Sequence, residues 1–325
     1  MDEHDLIRLR ERMGDQYLGR RLHAQVTRIL YLVGQGRGGF HYENVEVIMR
    51  LLKLLLRVSG IQAHGKRNAL DLQVRENRVV LPTLPPALEG IRIAHLSDLH
   101  LDGYPGLGQH IAHTLADHTF DAAVLTGDYR FYTTGHYDRV AQELRALVPA
   151  LRAHAQRFGV YAILGNHDFI EMVPVLENAG AQTLLNEAVA LTADDATLWL
   201  VGLDDAHYYG TYDFAKPLRG IPPNAPRILL IHSPEVIPEA SAHGFELYLT
   251  GHTHGGQICL PNGFAPLKNA HCARRYIAGA WSFNGMQGYT SRGVGASGVF
   301  ARFFCPPEVV IHILTRADLG HSETR

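Results

Sequence analysis

Five short apolar runs in this chain are each closed by a small cluster of polar residues, and this repeated pairing constrains the fold more than any other feature. The clusters read Ser97-Asp98-Leu99-His100, Gly127-Asp128-Tyr129, Gly165-Asn166-His167-Asp168, Ile231-His232-Ser233 and Gly251-His252-Thr253-His254-Gly255-Gly256-Gln257. Apolar runs at 91–96, 122–125, 160–164, 197–203, 227–231, 246–249, 300–304 and 309–314 have the length of buried strands. Helical stretches at 107–118, 137–157, 169–179 and 234–242 alternate with them, the last opened by Ser233 as N-cap and Pro234 at its first position. The alternation predicts an α/β domain. In open α/β sheets the carboxyl ends of the strands gather at one crevice, so clusters far apart in sequence converge in space.

The converging set is two Asp, one Asn and up to five His, drawn from a chain in which 20 of 325 residues are histidine. Oxygen and nitrogen donors without thiolate are metal-site chemistry. A structural zinc needs only four ligands, whereas this set suffices for two cations about 3.5–4 Å apart that clamp a phosphoryl group and activate water as hydroxide.

At these residues the sequence resembles the calcineurin-like metallophosphoesterase superfamily, whose pattern is DxH, GD, GNHD or GNHE, a lone His, and GHxH in this order. The resemblance covers roughly residues 90–315. It implies an α/β/β/α four-layer sandwich carrying a dinuclear site. Asp98, His100 and His254 are then expected to hold the first metal, Asn166, His232 and His252 the second, and Asp128 to bridge them. His167 is expected to face the phosphate as general acid or hydrogen-bond donor, oriented and charged by Asp168. Mn²⁺ is the first expectation for the metal, with Fe and Zn next, because the mixed donor set discriminates weakly among them. The extended GHTHGGQ form resembles a bacterial branch that includes enzymes acting on membrane-associated substrates, some of which cleave UDP-2,3-diacylglucosamine at its pyrophosphate in lipid A synthesis. That pyrophosphatase activity is the expected function; phosphodiester hydrolysis of a soluble substrate, or a non-catalytic scaffold on the same fold, are the alternatives.

One segment departs from the family pattern. Many members read GDxxD or GDxxN, whereas Gly127-Asp128 is followed by Tyr129-Arg130-Phe131-Tyr132. Arg130 is a candidate bidentate clamp for a substrate phosphate, against a locally paired surface arginine. The aromatics would wall a pocket or join the core.

Residues 1–67 are a different physical object from residues 68–325, the expected catalytic domain. They hold 12 Lys/Arg against 7 Asp/Glu in a chain whose net charge is −2. Apolar residues from Leu6 to Ile29 recur at helical intervals, and a second helix is predicted over 45–58, where Glu46, Arg50, Lys53 and Arg57 form one narrow polar stripe. Such a helix either lies in the interface of an anionic membrane or packs on the domain. Between the two helices, Gly34-Gln35-Gly36-Arg37-Gly38-Gly39 matches GxGxxG but lacks the strand–turn–helix context of a dinucleotide site, and reads as a hinge.

Gly202-Leu203-Asp204-Asp205 reads as support for the metal ligands or as turn chemistry, 284–298 as a rim or connecting loop, 320–325 as a frayed tail, and His110, His113, His118, His136, His154, His207 and His271 as surface or packing residues. Three cysteines without CxxC suggest neither a disulfide framework nor a zinc knuckle, and fit a reducing compartment. The near-neutral charge argues against bulk nucleic-acid binding. The charged N-terminus does not read as a signal peptide, and no apolar run has the length of a membrane span. The expected location is cytoplasmic, peripheral on the inner face of the membrane, and the expected partner a phosphorylated, lipid-linked nucleotide.

Overall fold

The computed structural model describes residues 1–32 and 46–317, with side chains described for 1–29 and 51–317. The glycine-rich hinge at 34–39 and the tail at 320–325 lie outside the described residues. Among the described residues four helices open the chain: α1 (Glu3–Met13), α2 (Asp15–Leu32), α3 (Glu46–Val58) and α4 (Gln62–Leu70). The strands are β1 (Gln73–Val80), β2 (Arg92–Leu96), β3 (Ala122–Leu125), β4 (Gly159–Ala162), β5 (Gln182–Thr183), β6 (Glu187–Ala193), β7 (Ala196–Gly202), β8 (Arg227–Leu230), β9 (Leu247–Thr250), β10 (Gly279–Phe283), β11 (Met286–Thr290) and β12 (Glu308–Thr315). Between them run α5 (Leu107–Thr114), α6 (Asp138–His154), α7 (Met172–Ala179), α8 (Ala215–Leu218) and α9 (Ile237–Ala242).

Among the described residues the strands form two six-stranded sheets, ordered β1-β12-β2-β3-β4-β5 and β10-β11-β9-β8-β7-β6. The central trios β2-β3-β4 and β7-β8-β9 are parallel within each sheet. Their apolar runs lack polar alternation because both faces are covered. Ile93, Ala122, Val124, Leu198, Leu200, Ile228, Leu230, Leu247 and Leu249 meet between the sheets. The alternate residues point outward: Ala94, Leu96, Ala123 and Leu125 pack on Ile111, Leu144, Val148 and Leu176 of α5–α7. On the far side, Leu229 and Tyr248 pack on Phe214, Ile237 and Ala240. These three apolar interfaces make the α/β/β/α layering.

Helices α1 and α2 join the outer helical layer, with Leu9, Met13 and Leu18 in the same cluster as α5–α7. The helical run predicted to continue to Ile29 breaks at Gly14, whose φ of +83° suits glycine. Helix α3 packs Leu56 on Val299 and Ala301. Among the described residues no helix is long and apolar enough to cross a membrane.

Several local expectations are corrected. Residues 300–304 form only an isolated bridge, Phe303 to Ile258, and Arg302 O there accepts from Asn68 of α4 (2.9 Å) rather than from a neighbouring strand. The expected loop at 284–298 contains β11, which pairs antiparallel with β10 and parallel with β9. Helix α9 starts at Ile237 rather than at Pro234, with Pro238 in its first turn.

Candidate metal centre

Each cluster lies just past the carboxyl end of a central strand: Asp98 and His100 after β2, Asp128 after β3, Asn166 after β4, His232 after β8, and His252 and His254 after β9. The two sheets thus contribute to one place. All seven side chains are buried. Five of them, Asp98, His100, Asp128, His252 and His254, sit at φ between +42° and +71°, the left-handed region that non-glycine residues rarely adopt. Such strain persists where surrounding structure enforces it, and it clusters at functional sites. Neighbouring glycines make room: a Cβ on Gly165 would strike the Asp128 carboxylate, and one on Gly251 would strike Ser97 Oγ and Asp98 Oδ2.

The side chains gather into two groups able to hold an ion, Asp98/His100/His254 and Asp128/His232/His252. His254 Nε2 lies 3.4 Å from Asp98 Oδ1, and His100 Nε2 lies 3.1 Å from His254 Nε2. Asp128 Oδ2 is 3.2 Å from His232 Nε2 and 4.0 Å from His100 Nε2, so one carboxylate oxygen reaches both groups. Asn166 Oδ1 lies 2.8 Å from His252 Nδ1.

Backbone carbonyls fix two of the imidazoles. His100 Nδ1 lies 2.7 Å from Arg130 O and His232 Nδ1 lies 2.7 Å from Thr126 O, which turns the Nε2 atoms toward the centre. His252 Nε2 and Asn166 Nδ2 are buried with no hydrogen-bond partner among the described residues. Burial, reinforced by neighbouring histidines, holds the His252 and His254 imidazoles well below their ordinary range, hence neutral and able to ligate. Burial also opposes charge on His232 and Asp128, but their mutual attraction prevails. His232 is raised to about 10, and Asp128 is held ionised well below the usual carboxylate range. The donor set, its converging lone pairs and its appetite for positive charge all fit divalent cations.

His167 lines the cavity beside these groups. Burial lowers it to about 3 against the pull of Asp128, so it is a neutral hydrogen-bond donor. The expected Asp168–His167 pairing is replaced by another arrangement. The Asp168 carboxylate accepts from the amides of Asp128 (2.7 Å), Gly165 (2.9 Å) and Tyr129 (3.0 Å), tying the β3 and β4 loops together. Burial, then the nearby Asp128 charge, raises it to about 7. Arg130 is likewise not a phosphate clamp in this structure. Its guanidinium donates to Thr133 O (2.9 Å) and Gly135 O (3.1 Å) and lies over Tyr137, while its carbonyl orients His100. Tyr129 is core, its hydroxyl donating to Ile163 O.

His207, read from sequence as a surface or packing residue, also borders the centre. The His207 ring stands 4.1 Å from that of His252, and its Nδ1 is 2.9 Å from Glu235 Oε1. Asp205 accepts from the amides of His207, Tyr208 and Tyr209, so the Gly202-Leu203-Asp204-Asp205 turn positions this neighbour. The GxDD turn was the available signal. Above the floor of Asp128, Asn166, His167, His252 and His254 opens a cavity of about 250 Å³, walled by Leu52, Ile258, Pro266, Leu267 and Val299.

A two-sheet α/β sandwich with carboxylate–imidazole groups gathered at its strand ends is the arrangement of a candidate metal-dependent hydrolase. Residues 91–256 match the calcineurin-like phosphoesterase family, and the chain belongs to it. The family uses divalent metals, and the protein is a phosphoester hydrolase. It is 29% identical to an uncharacterized metallophosphoesterase, YkoQ, of Bacillus subtilis, over 76% of this chain and 92% of that protein. It is 30% identical to the phosphodiesterase YaeI of Escherichia coli, over 68% of this chain and 80% of that one. A bovine transmembrane protein with a metallophosphoesterase domain is 32% identical over 72% of this chain and 55% of its own length.

Proposed function

We propose that the chain holds two divalent cations, one in Asp98/His100/His254 and one in Asn166/His232/His252 with Asp128 between them, and hydrolyses a phosphoester or pyrophosphate bond in an amphiphilic substrate. Bound there, the cations would supply Lewis-acid charge to the phosphoryl oxygens and lower the pKa of an attacking water. The chain's own part is orientation. Arg130 O and Thr126 O hold the ligand imidazoles, and neutral His167 donates a hydrogen bond toward the phosphoryl group or its leaving oxygen.

The observation carrying the amphiphilic reading is the cavity itself, with a polar floor and an apolar wall to which α3 contributes Leu52. The same helix turns Leu51, Leu54, Leu55 and Val58 to solvent at 55–78% exposure, with Lys53 and Arg57 also exposed. Apolar side chains flanked by cations suit an anionic membrane surface. A UDP-2,3-diacylglucosamine-type lipid nucleotide has the matching chemistry, with acyl chains for the wall and a pyrophosphate for the floor. Mn²⁺ is the first metal to test. The likeness to a phosphodiesterase favours a second reading, hydrolysis of soluble phosphodiesters by the same centre.

Mn²⁺-reconstituted protein offered UDP-2,3-diacylglucosamine and bis(p-nitrophenyl) phosphate separates the two. Release of UMP, with binding to phosphatidylglycerol vesicles that Leu54→Glu/Leu55→Glu abolishes, supports the lipid reading. Cleavage of the soluble ester alone, with no vesicle binding, leaves the phosphodiesterase.

A further inference from the structure

Helix α2 buries a polar face. Arg21, Gln25 and Arg28 recur at i, i+4 and i+7 and are all buried, while Val26 between them is 55% exposed. A helix normally turns its apolar residues inward, so each buried polar group needs a partner. Arg21 has an ion pair with Asp204 and donates to Asp168 O, and Gln25 accepts from the Ile170 amide and donates to Glu171. The stripe therefore runs along the 166–171 loop that carries Asn166 and His167.

Arg28 is the exception. It is 6% exposed, its guanidinium lies 3.4 Å over the Tyr208 ring, and its Nε and both Nη atoms have no hydrogen-bond partner among the described residues. His167 Nδ1, also buried, has no partner among the described residues either. Tyr208 follows His207, whose ring abuts His252, and Tyr209 donates to Asn166 O (3.3 Å), so the Arg28 shelf adjoins the metal centre. A cation desolvated without an anion is costly, and a planar fork held on an aromatic face is preorganised for two oxygens of one phosphate.

We infer that Arg28, reaching from the N-terminal helical segment, is a substrate-binding residue that takes phosphoryl oxygens of the substrate beside His167. This inference rests on the phosphoesterase reading of the centre. It fills the role that the sequence suggested for Arg130, and it makes α2 part of the binding site.

The test is calorimetric titration of inorganic phosphate into Mn²⁺-loaded wild type, Arg28→Gln and Arg28→Lys, with KM and kcat for p-nitrophenyl phosphate measured alongside. Phosphate affinity is expected to fall about tenfold or more in Arg28→Gln and less in Arg28→Lys, with KM rising in step, more than kcat falls, and metal content unchanged. Should Arg28→Gln fail to fold, Arg28→Lys, which keeps the charge but loses the fork, decides the matter. Affinity and KM within about twofold of wild type in the folded variants overturn the inference, as does wild type that binds no phosphate. If wild type binds phosphate but hydrolyses no ester, the catalytic reading fails, while the titration still decides the role of Arg28.

Discussion

Arg21 Nε of helix α2 lies 3.0 Å from Asp204 Oδ2 at the end of β7, and neither side chain has any solvent exposure. Tyr17 donates to the same carboxylate, and Thr211 Oγ1 donates to it at 2.6 Å. The N-terminal helical segment is thus bonded through a buried charge to the loop that positions His207.

Removing one member of a buried pair strands the other without water, which costs about 3–5 kcal/mol. Arg21→Met is therefore expected to lower stability by that order. Arg21→Met/Asp204→Asn should recover a substantial part, because neither charge is then left alone. Urea unfolding of the two variants and wild type measures this coupling; an Arg21→Met loss under about 0.5 kcal/mol contradicts it.

His95 on β2 and His312 on β12 face each other across the sheet at 3.3 Å, both fully buried. Burial lowers His95 to about 3 and holds His312 well below the ordinary range. An unfolded chain takes up protons at these positions below about pH 6.5, while the native one does not, so the native state binds fewer protons. Their contribution is complete above that pH and is lost as pH falls, by about 1.4 kcal/mol per pH unit for each histidine. The pH dependence of unfolding in His95→Gln should be flatter between pH 6 and 4 than in wild type. Equal slopes would show that the pair takes up protons without unfolding.

Gly251 admits the Asp98 carboxylate and Ser97 against the turn that leads to His252. Gly251→Ala is expected to push Asp98 aside, with an overpacking cost of about 1–3 kcal/mol, and to lower bound metal from two toward one. Metal analysis beside a melting curve checks both. A variant with full metal content and unchanged melting would show that the turn has slack.

The catalytic half of this architecture is legible in the sequence because its logic is local. A strand ends, and within four residues a candidate ligand appears, as with Leu96 and His100 or Thr250 and His254. Burial on both faces makes β3, β8 and β9 predominantly apolar runs. Strand β1, reading QVRENRVV at a sheet edge, carries too little of that pattern to be found. The role of the N-terminal segment is illegible for a different reason. Its cations look unpaired in sequence, yet Arg12 meets Glu177 and Glu187 and Arg21 meets Asp204, partners more than 160 residues away. Arg130 misled because its position in the motif was right, whereas its own short loop supplies the acceptors that turn its guanidinium away.

The central claim is that Asp128 joins two metal groups into one hydrolytic centre. Its most direct test is metal stoichiometry together with turnover of bis(p-nitrophenyl) phosphate, in wild type and Asp128→Asn, after dialysis against Mn²⁺. Two ions per chain with turnover in wild type, falling to one or fewer with a loss of activity of about 10³-fold in Asp128→Asn, is the predicted result. Wild type that binds no metal, or Asp128→Asn that keeps both ions and full turnover, would contradict it.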